Sequence, residues 1–286
     1  MTIKKWTEEK IAALHKEGRG VGEGSNYKPW INVRDISSRG RSFRIPSVYT
    51  DRTYELFSDV EKSILLLLEY SLEVVEIREQ WPLPREATLK HALERGICRH
   101  PYYPGTHVPT VMTVDFWVRR RTRTGSRILW IDGKRTEDAK KERSLEKLEL
   151  VRSYGETLEV PHHVIYHSQI CKTMVRNIEW IRSALPNRNE SIFVTRRLHE
   201  LAGRMTDELT STYLTDRPLQ VWCADFDRRH GTTPGTALRV IRMLMWARTF
   251  TADLKQKDLV RAPMNSFQRP AESPSLTVGP QLVVAA

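Results

Sequence analysis

Four charged residues have the chemical types and positions that a metal-assisted reaction at a phosphate requires. Asp115 interrupts an apolar stretch, Asp132 and Lys134 close a second one, and Glu61 stands near the start of a segment that precedes both. Acids within apolar stretches are rare in folded proteins unless they are paired, hydrogen-bonded or bound to a metal ion. Mg²⁺ prefers such oxygen ligands, and it polarises a phosphate and lowers the pKa of a bound water. These residues therefore predict a Mg²⁺ site, at which Mn²⁺ is expected to substitute.

The group is expected to divide the chemistry among its members. Asp115 would anchor or bridge the metal ion, Asp132 would ligate it, and Glu61 would complete or support the site. The backbone carbonyl of Gly133 is a further candidate metal ligand. Lys134 would orient the attacking water and balance charge on the phosphorus. The candidate catalytic residues are thus Glu61, Asp115, Asp132 and Lys134.

Simpler explanations exist for the same residues. Asp132 and Lys134 are two residues apart on a strand, so they point to the same face. They could form only a surface ion pair, worth ~0–1 kcal/mol. Glu61 lies three residues after Ser58 and could serve only as the glutamate of a capping box. Since the D-x-K spacing arises by chance in many charged chains, its placement at strand ends carries the hypothesis.

The pattern around these residues predicts a mixed α/β core. The strand segments alternate or form short apolar runs, whereas the helix segments are amphipathic. The predicted elements are a helix over 58–71, strands over 74–81, 110–118 and 127–134, a helix over 137–155 and a strand over 160–168. An acid on one strand, D-x-K on the next and a glutamate on the preceding helix form the arrangement of restriction-endonuclease-like nucleases.

Composition divides the chain into four predicted parts. They are an N-terminal arm over 1–50, a restriction-endonuclease-like catalytic domain over 51–168, a winged-helix-like domain over 169–256 and a flexible tail over 257–286. The arm begins with a predicted helix over 7–15 capped by Thr7. Its glycine-rich segment 18–24 resembles a phosphate-binding loop only superficially, because no strand precedes it and no GK[ST] follows. After residue 168 the pattern is mainly helical, and a strand-like segment at 248–254 suggests the ribbon of a winged helix.

The overall charge favours an anionic partner. The 46 Lys and Arg residues exceed the 35 Asp and Glu residues and give a net charge of +11, for which nucleic acid is the first candidate. The three cysteines have no CxxC spacing, so neither a disulfide framework nor a zinc site is predicted. No apolar run approaches the length of a membrane span, and the N-terminus lacks a signal-peptide pattern. A cytoplasmic protein without a membrane partner is expected.

Three groups of arginines are the predicted DNA contacts. They are Arg41 and Arg44 in the basic segment 37–47, Arg119, Arg120 and Arg121 in a predicted turn between two strands, and Arg239 and Arg242 on the helix after Pro234. The first group could instead be merely solvated. The second group could equally be a solvated hairpin tip rather than a phosphate contact. The third group would face DNA if a winged helix binds in the usual manner, but that fold could instead serve protein contact.

Two histidines and two tryptophans have structural interpretations. His162 and His163 are adjacent on a predicted strand and so point to opposite sides, which disfavours a paired metal role. Trp180 and Trp246 are expected in the core.

Several segments together resemble one known family. In chain order they are KEGRGVGEGSNYKPW, SSRGRSFRI, FSDVE, EIREQWPL, TVDF, ERSLEKLEL and NIEWI. They are similar to the TnsA family, the endonuclease subunit of heteromeric bacterial cut-and-paste transposases. The resemblance covers roughly residues 14 to 255 and is densest up to residue 182.

The resemblance implies a nuclease-like N-terminal domain and a winged-helix-like C-terminal part. Its FSDVE, TVDF and IDGK motifs place the site residues at Glu61, Asp115, Asp132 and Lys134. The family often has Gln at the position of Asp132, and the carboxylate here should strengthen metal binding. Gly133 replaces a usual apolar residue, which is expected to weaken strand packing.

The same resemblance implies the reaction and the partners. The family cuts the 5′ strand at each transposon end, and a sister DDE-type recombinase subunit cuts and joins the 3′ ends. An AAA+ ATPase regulator is expected to contact the C-terminal region. The sequence therefore predicts a bacterial, Mg²⁺-dependent endodeoxyribonuclease subunit. The alternatives are a DNA-binding or adaptor subunit without catalysis and, less favoured, a stand-alone restriction-type nuclease.

Overall fold

The computed structural model describes residues 6–35, 40–96, 99–211 and 214–269. The chain divides into two compact units, with the boundary between Ile170 and Cys171. The sequence places a corresponding boundary at 168/169. Within the described residues, no helix has the length and apolar character needed to cross a membrane.

The first unit is a mixed α/β structure built on a four-stranded sheet. Its helices are α1 (Glu8–Lys16), α2 (Asp59–Tyr70), α3 (Arg85–Arg95) and α4 (Glu142–Thr157). Its strands are β1 (Phe43–Pro46), β2 (Thr53–Leu56), β3 (Val74–Pro82), β4 (Thr113–Thr122), β5 (Gly125–Lys134) and β6 (His162–Tyr166). The strand order in the large sheet is β3-β4-β5-β6, and β1 with β2 forms a separate antiparallel pair.

The connections explain the mixed direction of the large sheet. β4 and β5 are joined by a tight turn and pair antiparallel, as β3 and β4 also do. β6 runs parallel to β5, which requires a long crossover, and α4 lies in that crossover. The predicted mixed α/β core is thereby confirmed.

Helix α2 begins where the sequence predicts it. The Ser58 hydroxyl accepts a hydrogen bond from the Glu61 backbone N–H at 3.1 Å and so caps the helix. Ile64, Leu65 and Leu66 are almost fully buried. One turn of this helix therefore carries both the cap and the candidate site glutamate.

The two faces of the large sheet carry separate hydrophobic clusters. On one face, Phe116 and Ile131 pack in a cluster with Val60 and Ile64 of α2. The other cluster joins strand residues to α4, and its members include Trp117, Trp130, Leu150, Val151 and Tyr154. Because alternate strand residues point to opposite faces, β4 and β5 are buried on both sides. The candidate residues lie at the end of this rigid pair of strands.

The segment predicted as an arm packs into the first unit. Trp30 is 1% exposed and belongs to a third hydrophobic cluster with Ile11, Leu14 and Tyr103. The Tyr27 hydroxyl donates to the Glu79 carbonyl at 2.9 Å. This segment thus forms part of the wall beside β3.

The second unit is helical among its described residues. Its helices are α5 (Lys172–Arg182), α6 (Ile192–Ser211), α7 (Leu219–His230) and α8 (Thr236–Trp246). α8 packs against the other three, and it is the most apolar of them, with Val240 and Ile241 fully buried. Trp180 and Trp246, expected in the core, are only half-buried.

Two predictions for this unit do not match the structure. The strand-like segment 248–254 forms only an isolated bridge between Thr251 and Gln268, so the described residues contain no two-stranded wing and the winged helix is not confirmed. The predicted tail at 257–286 is wrong for residues 257–269, because Leu259, Met264 and Phe267 are buried there. These apolar residues follow no regular period, so the pattern gave no sign of their packing. Residues 270–286 lie outside the described residues.

Candidate active site

The structure brings Asp115, Asp132 and Lys134 into direct contact. Pairing of Phe116 with Ile131 places Asp115 across from Asp132 at the end of the β4–β5 ladder. The Lys134 ammonium lies 3.2 Å from Asp115 Oδ2 and 3.3 Å from Asp132 Oδ1. Lys134 and Asp132 share a face because they are two residues apart. The hypothesis of a simple surface pair does not fit, since the Asp132 side chain is only 5% exposed.

His162 is a member of this group that the sequence analysis did not assign to it. Its Nε2 lies 2.7 Å from Asp132 Oδ2, and its side chain is 1% exposed. The parallel register of β6 places His162 beside Trp130, two residues before Asp132. His163 is exposed, as expected for the neighbouring residue on a strand. The contact depends on the pairing of β5 with β6, which lies beyond the reach of local sequence patterns.

Gly133 allows α2 to approach the sheet closely. A Cβ at this position would lie 2.8 Å from Ile64 Cδ1 and 3.0 Å from Val60 Cγ1. The expectation that glycine weakens packing here is not confirmed, because a larger residue would press on these two buried side chains of α2. The Gly133 N–H also donates to Asp115 Oδ2 at 2.8 Å. Glycine thus sets the distance between the sheet and the helix that carries Glu61.

Glu61 is held at the start of α2 by both polar groups and burial. Its Oε2 accepts from the Phe57 N–H at 2.9 Å, and its Oε1 accepts from the Ser58 hydroxyl at 2.8 Å. The capping role is therefore present. Burial, followed by the charge of Asp115, raises the pKa of Glu61 to about 8. The carboxyl is thus electrostatically coupled to Asp115 as well as bound to its own helix end.

The neighbouring acids have opposite pKa shifts. Burial raises the pKa of Asp115 to about 6, although Lys134 opposes the rise. Burial would also raise the pKa of Asp132, but Lys134 and His162 outweigh it and lower the value to about 2. Burial would lower the pKa of Lys134, but the two aspartates raise it above the usual range. At neutral pH the group therefore contains a firmly protonated lysine beside a firmly ionised Asp132.

Gln80 contacts Glu61 and has a strained backbone conformation. Its φ is +48°, a conformation uncommon for a residue with a side chain. It lies across from Asp115 because its neighbours in β3 pair with the neighbours of Asp115 in β4. The Gln80 amide donates to Glu61 Oε2 at 3.4 Å, and its amide oxygen accepts from Thr113 Oγ1 at 3.3 Å. Sequence reasoning missed this residue because a glutamine within a strand pattern carries no signal of positive φ.

The oxygen atoms at the site fit a hard divalent cation in type. Both contacts to the Asp115 carboxylate fall on Oδ2, so Oδ1 has no protein partner among the described residues. Lys134 lies between the two aspartates, and across the described chain no three His, Cys, Asp or Glu side chains are already arranged as a metal cage. By oxygen type, Asp115 and Asp132 could hold Mg²⁺, which usually keeps several water ligands, with Glu61 in support.

Two family models match adjoining parts of the chain. The model described as "TnsA-like endonuclease N terminal" matches residues 71–167, and "TnsA endonuclease C terminal" matches residues 169–254. Together they cover more than half of the chain. The chain belongs to the TnsA family. The resemblance inferred from its motifs is thus confirmed.

One curated relative of this TnsA-family chain is the transposon Tn7 transposition protein TnsA of Escherichia coli. The two are 39% identical over 178 residues. The alignment spans 62% of this chain and 64% of the relative, which is less than two thirds of the relative's length.

The predicted DNA-contacting arginines of the first unit lie near its surface. The Arg41 side chain is 79% exposed and lies 3.6 Å from Asp59. The other ion pairs are Arg44 with Glu55 at 2.9 Å, Arg119 with Glu76 at 2.8 Å and Arg120 with Glu73 at 2.6 Å. Arg121 is exposed at the end of β4. Their DNA-binding role stays a prediction.

The two predicted contacts of the second unit are used within that unit. Arg239 binds both carboxylate oxygens of Glu190, at 2.5 and 2.6 Å. Arg242 donates to the Trp180 carbonyl at 3.1 Å and stacks over its ring. Both guanidinium groups thus connect α8 to neighbouring segments of the same unit. This geometry does not support a direct contact of Arg239 or Arg242 with DNA.

Proposed function

We propose that this chain is the Mg²⁺-dependent endonuclease subunit of a heteromeric transposase. Its substrate would be the 5′, non-transferred strand at transposon ends during cut-and-paste transposition. The observation that carries the proposal is the Lys134 ammonium shared by Asp115 and Asp132 at the end of two buried strands. Membership of a family whose two models are described as endonuclease domains supports the same reaction class.

The acids would bind the metal ion, and Lys134 would act on the phosphate and the water. Asp115 and Asp132, with Glu61 in support, would hold Mg²⁺, which when bound polarises the phosphate and lowers the pKa of a coordinated water. Lys134 keeps its proton, because its pKa is raised, and so offers a permanent positive charge to the phosphate and orients the water. The water oxygen forms a new bond to phosphorus as the bond to the 3′ oxygen breaks. The products are 5′-phosphate and 3′-hydroxyl ends.

The partners and location belong to the same proposal. A DDE-type sister subunit would cut and join the 3′ ends, and an AAA+ ATPase regulator would contact the second unit, within the bacterial cytoplasm. Exposed apolar residues at the start of α6 support a protein contact there, since Phe193 is 80% exposed.

Removal of Lys134 tests the proposal. In the assembled transposase, Lys134→Ala should abolish cutting of the 5′ strand while DNA binding and partner binding persist. Lys90→Ala is the matched control, because Lys90 is exposed on α3 and pairs with Glu94 on the same helix. Circular dichroism and a melting curve would establish that each variant is folded. Unchanged 5′ cleavage by folded Lys134→Ala and Asp115→Ala variants would leave only the adaptor role.

A further inference from the structure

A cleft in the first unit lies beside Asp115, Asp132 and Lys134, which together are called the acid–lysine group. Its volume is about 270 Å³, near the lower end of small-molecule sites, roughly 300 Å³. Asp132 and Lys134 form part of its lining. The lining also includes Trp6, Trp30, Tyr103 and Ser144. Whatever fills this cleft lies next to the atoms that carry the proposed cleavage.

The walls suit a flat aromatic ring. Trp6 and Tyr103 stack at 4.1 Å with their planes 3° apart, and Met112 and Leu148 add further apolar surface. Trp30 also lines the cleft, although it is 1% exposed. Stacking of a base on aromatic side chains is worth about 1–3 kcal/mol.

The charges around the cleft favour an anionic chain outside it. The exposed Lys147 of α4 lines the cleft, whereas the ammonium of Lys134 is already shared by Asp115 and Asp132. Lys147 therefore supplies the positive charge for such a chain. A nucleotide combines an aromatic ring with a negatively charged backbone. A paired base is covered by its neighbours in the duplex, so only an unpaired base can enter such a pocket.

We propose that the cleft binds an unpaired nucleobase adjacent to the phosphate that is cut. This inference rests on the proposed nuclease function and adds to it a local opening of the DNA at the cleavage position. Base contacts with aromatic walls are sequence-tolerant, so the cleft would sense strand opening more than base identity. Cleavage should therefore be faster on substrates with a mismatch beside the cut.

The test places 2-aminopurine, a fluorescent base, on each side of the 5′ cleavage position in transposon-end DNA bound by the assembled transposase. Ser144→Phe fills the cleft from α4 without removing an apolar contact. Leu145→Phe is the matched control, because Leu145 is 45% exposed and does not line the cleft. We expect a fluorescence change at one position with wild type and Leu145→Phe, and its loss with Ser144→Phe. Cutting by Ser144→Phe should fall about tenfold or more, and a mismatch should not restore it.

The outcomes separate this inference from the function on which it depends. Normal 5′ cutting without any fluorescence change would overturn the base-binding cleft and leave the nuclease intact. Loss of partner binding by Ser144→Phe with an unaltered fluorescence signal would assign the cleft to a protein ligand instead. No 5′ cutting by the wild-type complex would refute the nuclease function, and the cleft inference with it.

Discussion

His162 Nε2 and Asp132 Oδ2 lie 2.7 Å apart, which ties β6 to the candidate metal ligand on β5. The contact holds one carboxylate oxygen of Asp132 while Lys134 approaches the other. A histidine that fixes a ligating carboxylate in this way typically affects metal affinity or activity strongly when it is removed.

Replacing His162 should therefore weaken the site without unfolding the first unit. We expect His162→Ala to lower Mg²⁺ affinity or 5′ cleavage by roughly 10–100-fold. His163→Ala serves as the control, because His163 is the exposed neighbour on the same strand. Equal activity of the two variants across a Mg²⁺ titration would show that the contact is only structural.

Gly133→Ala should destabilise the protein by about 1–3 kcal/mol. The new methyl group would meet Ile64 and Val60 at 2.8 and 3.0 Å, and these buried side chains of α2 would have to shift. Gly203→Ala is the control, because nothing lies within 4 Å of its added Cβ and alanine favours a helix. Urea denaturation measures both, and a Gly133→Ala variant as stable as the wild type would contradict the close packing of α2.

The raised pKa of Glu61 predicts a specific pH dependence of stability in metal-free protein. The unfolded carboxyl loses its proton near pH 4.5, whereas the buried one keeps it to about pH 8. Raising the pH through this window therefore favours the unfolded chain. Glu61→Gln lacks this titration. The melting temperature of the variant minus that of the wild type should therefore increase from about pH 5 to about pH 8. A pH-independent difference measured in EDTA would argue against the shifted pKa.

Binding of Mg²⁺ at neutral pH should release protons. Glu61 is mostly protonated at pH 7, since its pKa is about 8, and a carboxyl must be ionised to bind or support the cation. Apparent Mg²⁺ affinity should therefore increase with pH up to about 8. Calorimetry in two buffers with different ionisation enthalpies measures the protons released. If the Asp115→Ala variant binds Mg²⁺ as wild type does, the metal lies elsewhere.

The protein should be less stable with glutamine at position 80 than with glycine there. The φ of Gln80, +48°, is disfavoured for side-chain-bearing residues by about 1–2 kcal/mol, and glycine avoids that cost. We expect Gln80→Gly to be as stable as wild type or more stable, and Gln80→Ala to be less stable than Gln80→Gly. Thermal unfolding of the two variants is the measurement, and a marked loss of stability in Gln80→Gly would mean that the side-chain contacts outweigh the strain.

Local sequence patterns predicted the elements that carry the acid–lysine group. Ser58 and Glu61 form the predicted cap of α2, and the register of β4 with β5 brings Asp115 to Asp132. Strand alternation was sufficient to place Lys134 beside Asp132, because that relation involves one strand only. The catalytic and metal-binding roles of these residues stay predictions.

Features that depend on distant segments were not predictable in the same way. α3 (Arg85–Arg95) was not predicted, because its sequence is polar and little amphipathic and it begins at Pro84 without a side-chain cap. The pairing of β1 with β2 and the positive φ of Gln80 also had no local signal. The contact of His162 with Asp132 depends on the parallel pairing of β6 with β5, two strands that are separated in the chain by α4.

The backbone bond from the Trp30 N–H to the Gln80 carbonyl, at 3.2 Å, has a practical consequence for dissecting this protein. A fragment that began at residue 51 would lose that donor and would expose Tyr103, which Trp6 and Trp30 cover. The smallest autonomous nuclease fragment should therefore start before α1, even though the family model begins at residue 71.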